Sequence, residues 1–108
     1  GTARRSVKAL VDTGATLTVL PRWLAEELGI KPHAVSRVET GGGVITMERG
    51  RAYVEIADRG EVVPVFISDV IDKVLIGATT LEVLELEVDP TTGRLKERAL
   101  MLYTAEAR

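Results

Sequence analysis

The apolar residues of this chain fall into short runs rich in Val, Ile and Leu, each closed by Gly, Pro, Asp or Thr. That punctuation commits it to a mainly β fold, because runs this short suit strands and leave no amphipathic stretch long enough for a helical bundle. Ser6–Val11 reads as a strand, and Leu17–Leu20 as a second. Two more flank the tip "TGGGV" (Thr40–Val44) between Val35 and Ile56. Glu61–Ser68 follows, with Pro64 marking an edge or a bulge. Val74–Gly77 is a short buried strand, and "ATTLEVL" after it a brief helix. "ELEVD", the turn "PTTG" and Arg94–Tyr103 complete a terminal hairpin. The clearest helix is "PRWLAEELG" (Pro21–Gly29): Pro suits its first turn, Leu24 and Leu28 share a face, and Gly29 suits its stop. Trp23 is expected to cover the core from that helix, and His33 to be a loop residue.

The 108 residues suffice for one core, so a single domain over 1–108 is expected. A net charge of -2 with both signs interspersed gives no basic track for a phosphate backbone, so no nucleic-acid partner is expected. No run reaches the roughly 18 apolar residues of a membrane span. The chain therefore reads as soluble, with no membrane partner, and its lack of Cys fits an intracellular, cytoplasmic location. The absence of Cys removes disulfide and thiolate chemistry, and a lone His cannot build a His-based metal cage, so neither metal nor cofactor is expected.

One polar interruption stands apart. In "ALVDTGATLTVLP" (Ala9–Pro21) a strand of apolar residues delivers Asp12, Thr13 and Gly14 turn the chain, and a second apolar, β-branched run leaves. A carboxylate so placed is expected at the end of a buried strand, where Gly14 lets a backbone N–H approach it. Asp58, Asp69, Asp72 and Asp89 lie in turns or at strand ends and read as solvated. The three glycines Gly41, Gly42 and Gly43 cannot form a stiff strand interior and mark a mobile hairpin tip.

Three motifs, in this order and spacing, resemble the retropepsin-like aspartic proteases, the single-lobe relatives of pepsin. "ALVDTGATLTVLP" looks like their catalytic strand and loop, "TGGGV" falls where they carry a glycine-rich flap, and "VLIGATTL" (Val74–Leu81) looks like their second hydrophobic-hydrophobic-Gly motif. The resemblance covers nearly the whole chain and implies a closed β-barrel lobe with one or two short helices. It implies Asp12 as the catalytic acid, with Thr13, Gly14, Ala15 and Thr18 as its loop; Thr13 would bond across a dimer axis. Thr18 would brace that loop from behind, or is simply an inward-facing β residue. Gly41, Gly42 and Gly43 would be the flap. Leu10, Leu17, Val44, Ile45, Leu75, Ile76 and Gly77 are the candidates for substrate pockets, each of them alternatively a core position.

Hydrolysis of a peptide by carboxylates takes two of them, and only one Asp-Thr-Gly exists here. A C2 homodimer is therefore expected, pairing Asp12 with its symmetry mate over a peptide or protein substrate. Thr16 and Leu17 stand where many viral members have acidic residues, and Ala78 replaces an Arg after the second Gly motif. With the helix at Pro21–Gly29, these departures make the chain look more like cellular and prokaryotic relatives. Their pattern implies that the terminal hairpin, Glu85 to about Tyr103, supplies most of the dimer sheet. Two alternatives stay open: a non-catalytic domain of the same fold that dimerises or binds extended peptides, and a plain β domain with an incidental turn.

Overall fold

The computed structural model describes residues 3–98. Six strands form one sheet: β1 (Ala9–Val11), β2 (Thr18–Pro21), β3 (Ala34–Thr40), β4 (Gly43–Ile56), β5 (Arg59–Ser68) and β6 (Val74–Ile76). Their spatial order is β1-β6-β2-β5-β4-β3. Helix α1 (Arg22–Glu27) follows β2 and helix α2 (Ala78–Val83) follows β6. A separate hairpin joins β7 (Leu86–Val88) to β8 (Leu95–Glu97).

The mainly β expectation holds, and the closed barrel does not. The sheet ends at β1 on one side and β3 on the other, and these strands do not pair. Closure would need a ladder between them, yet β1 is only three residues long and exposed throughout. The strand expected over Ser6–Val11 is correspondingly shorter, since only Ala9–Val11 finds a partner, in β6.

Strand alternation explains the core. Thr18, Leu20, Val63, Val65, Ile67, Val74 and Ile76 lie inward, and Leu24, Leu81, Leu84 and Leu86 meet them from the helices and β7. At about 1.5–3 kcal/mol per fully buried aliphatic side chain, this layer is the main source of stability. Pro64 sits inside the ladder with β4 but one residue before β5 begins to pair with β2, so its missing N–H costs no bond on that side.

Helix α1 buries Leu24 and Ala25, with Leu28 packed partly against the core, and Gly29 ends it at a φ of +72°. Trp23 departs from expectation. One position from Leu24, about 100° around the helix, it is 46% exposed, and its indole N–H donates to Asp72 at 2.9 Å. His33 is a loop residue, as expected. The expected terminal hairpin is present as β7 and β8, in register from Leu86–Glu97 to Val88–Leu95; its continuation to Tyr103 lies outside the described residues. No helix among the described residues is long and apolar enough to cross a membrane.

Candidate active site

Asp12 follows β1 directly, and its surroundings are built mostly from main chain. Its own amide donates to the Ile76 carbonyl at 2.9 Å, the Ala15 amide donates to the Asp12 carbonyl at 3.0 Å, and the Gly14 amide donates to Asp12 Oδ1 at 3.1 Å. The carboxylate is thus aimed by a turn while remaining open to solvent. A Cβ on Gly14 would stand 3.3 Å from Asp12 Oδ1, tight against the acid it supports. Thr13 is exposed beside it.

The start of α2 holds the other side of the loop. The Ala78 and Thr79 amides donate to the Ala15 and Thr16 carbonyls at 2.8 and 2.9 Å. Gly77 passes so close beneath this segment that a Cβ there would lie 2.4 Å from the Leu17 carbonyl carbon. Only glycine fits. Its amide donates to Thr18 Oγ1 at 3.1 Å, and that hydroxyl is 2.6 Å from Thr80 Oγ1, both threonines being fully buried. Thr18 is therefore both an inward-facing strand residue and a bridge from β2 to the segment beneath the Asp12 loop. Thr80, its partner, was not legible in the sequence, where two threonines after a glycine look like any helix start.

The expected tip is the turn between β3 and β4. Thr40 pairs with Gly43, so Gly41 and Gly42 are the connection, and Gly43 has a φ of +120° that favours glycine. The Thr40 hydroxyl accepts from the Gly42 amide at 3.2 Å and donates to the Gly43 carbonyl at 2.8 Å.

The pocket candidates divide. Leu10, Val44 and Ile45 are exposed, and Leu17 and Leu75 half-buried. Ile76 is corrected: it belongs to the core cluster at 5% exposure. The buried Gly77 supports the loop through its backbone, without offering a wall. Strand register adds two residues that sequence reasoning missed. Leu10 pairs with Leu75, Leu75 with Val19, and Val19 with Phe66. Partners in register share a face, so these four form one apolar row that starts next to Asp12, with Leu10 exposed, Leu75 and Phe66 half-buried and Val19 buried at 6% exposure. Strict alternation from Thr18 and Leu20, the inward residues of β2, would have placed Val19 on that face.

A bidentate ionic group lies elsewhere, at the start of α1. Arg22 bonds Asp69 and Glu48, and this guanidinium holds the Asp69 carboxyl below its ordinary range. Among the described residues no group of three His, Cys, Asp or Glu side chains is placed to hold a metal.

The sheet, the two helices and the Asp-Thr-Gly turn pinned by a Gly-led helix start place one open carboxylate beside an apolar row. The chain belongs to the aspartyl protease family, whose pattern matches residues 3–95. No curated protein matches it in sequence. The fold is similar to the solution structure of simian foamy virus (mac) protease, with 22% identity over 70% of this chain and 80% of that one, at a TM-score of 0.54. It is also similar to the foamy viral protease–reverse transcriptase in complex with double-stranded DNA, with 20% identity over 70% of this chain at a TM-score of 0.57. A foamy viral protease–reverse transcriptase in complex with an RNA/DNA hybrid gives 19% identity over 88% of this chain, at a TM-score of 0.57. This chain spans 13% and 11% of those two longer chains. These likenesses show the retroviral protease fold.

Proposed function

We propose that the protein is an aspartic endopeptidase that works as a C2 homodimer, with Asp12 and its mate from a second copy flanking one water. One carboxylate, ionised, takes a proton from the water as it attacks the scissile carbonyl. The other, protonated, donates to the carbonyl oxygen. Thr13 would bond across the axis beside them.

The observation that carries this reading is the solvent-open carboxylate of Asp12, held by the Gly14 amide, in a chain with a single Asp-Thr-Gly. The neighbouring edge supports it: β1 leaves Leu10 54% and Val11 41% exposed, an apolar strand suited to burial against a second copy. Leu10, Leu75 and Phe66 of the apolar row would form the floor of the cleft over the buried Val19, and Val44 and Ile45 its cover. An extended peptide with apolar side chains beside the cut bond fits such walls, bound as an added strand under the glycine tip.

Cleavage of dye-labelled casein by wild type and Asp12→Asn, across pH from roughly 3 to 7 and at two protein concentrations, tests this. The expected outcome is activity whose specific rate rises with concentration, and a loss of about 10²- to 10⁴-fold in Asp12→Asn with an unchanged melting temperature. A folded, dimeric wild type that binds casein without cutting it replaces the enzyme reading with a peptide-binding one.

A further inference from the structure

The ionic group on α1 sits at a mechanically distinctive place. Pairing between β4 and β5 runs from Ile56–Arg59 to Glu48–Ile67 and stops there. Beyond Glu48 toward the glycine tip, β4 has only β3 beside it, from Met47–Ser36 to Gly43–Thr40. Glu48 is thus the last rung before a two-stranded arm leaves the sheet.

Arg22 fastens that rung. Its Nη1 donates to Glu48 Oε1 at 2.5 Å, while Nε and Nη2 donate to the two oxygens of Asp69 at 2.8 and 3.0 Å. Asp69 begins the loop from β5 to β6. Trp23 grips the same loop further along through Asp72, and the buried Ser68 hydroxyl accepts from the amides of Val70 and Ile71. One planar guanidinium therefore spans three elements, engaging one carboxylate with two parallel bonds and another with a third. A lysine ammonium cannot reproduce that fork.

We propose that Arg22 is a positioning residue that fixes the hinge of the β3–β4 arm against the 69–72 loop, and so sets how the arm closes over substrate. The consequence for catalysis rests on the protease reading above; the mechanical claim does not. Arg22 touches neither Asp12 nor the apolar row, so its influence is on binding and closure rather than on the chemical step.

The test compares wild type, Arg22→Met, Arg22→Lys and Glu48→Gln by amide hydrogen exchange and by casein cleavage. In Arg22→Met, exchange at Val44–Met47 is expected to quicken about 1.5- to fivefold, as for loss of a surface ion pair, while Val63–Ile67 exchange as in wild type. KM is expected to rise by a similar factor with kcat changed less than about twofold. Glu48→Gln shifts both readouts the same way by less, and Arg22→Lys restores them only in part. Unchanged exchange in the arm, or equal quickening of Val63–Ile67, overturns the proposal; so does an active enzyme whose KM is indifferent to Arg22→Met. A wild type that never cleaves removes the protease reading instead, and exchange still decides the hinge.

Discussion

The Asp12 loop and the glycine tip are both turns between strands, and they are held in opposite ways. The loop from Asp12 to Thr18 is fastened to Ile76 and to the segment Gly77–Thr80 by three main-chain bonds and by the Thr18 hydroxyl. The tip at Thr40–Gly43 is held only by its own ladder and by the Thr40 hydroxyl. One turn is specified by long-range contacts, the other by its neighbours alone. On the proposed reading, a carboxylate that pairs with a second one needs the first kind of support, and a cover that admits a chain needs the second.

Substitution at Gly77 breaks the rigid side of this contrast most severely. In Gly77→Ala the new Cβ would meet the carbonyl carbon and oxygen of Leu17 at 2.4 and 2.5 Å and that of Ala15 at 2.9 Å. These are backbone atoms that cannot swing aside. The expected loss is about 3 kcal/mol, visible as a melting temperature lower by about 10–20 °C, and activity should fall with it because the displaced segment carries Asp12.

Thr18→Val sharpens the same point at nearly constant volume. It leaves the Gly77 amide without its acceptor and the Thr80 hydroxyl without its partner, in a fully buried place. A cost of about 2 kcal/mol is expected by urea denaturation, and Thr18→Ser should recover most of it. A Thr18→Val protein as stable as wild type would mean that packing alone holds the loop.

The two turns also differ in how far the sequence revealed them. The tip was legible because its glycines are consecutive and its partners adjacent, so the hairpin and its connection follow from local chemistry. The Asp-Thr-Gly turn was legible as a motif, but its support was not: Thr18 meets Thr80 across 62 positions, a pairing no local pattern encodes. Ile76 shows the same limit among the pocket candidates. Leu75 and Ile76 are alike as letters, and only the register with β1 and β2 turns one toward the apolar row and the other into the core. Likewise Trp23 looked like core cover until the helix placed Leu24 and Ala25 inward and left it outside. The open sheet was missed because closure depends on whether β1 and β3 meet, which strand patterns do not state.

The tip offers the mildest and most discriminating prediction. A Cβ on Gly41 meets nothing within 4 Å, and on Gly42 its nearest neighbour is the Thr40 hydroxyl at 3.9 Å; neither residue has a positive φ, unlike Gly43. Gly42→Ala should therefore be accepted without strain and raise stability by about 0.4–1 kcal/mol by restricting the unfolded chain. If the tip must bend to admit substrate, the same change should slow casein turnover while the fold gains. Gly43→Ala, forced into a φ of +120°, should instead cost about 1–3 kcal/mol. The pair of variants separates flexibility from conformational necessity. A Gly42→Ala enzyme that is more stable and equally fast would show that this turn, unlike the Asp12 loop, is free to vary, and would move the bending of the arm to its hinge at Glu48.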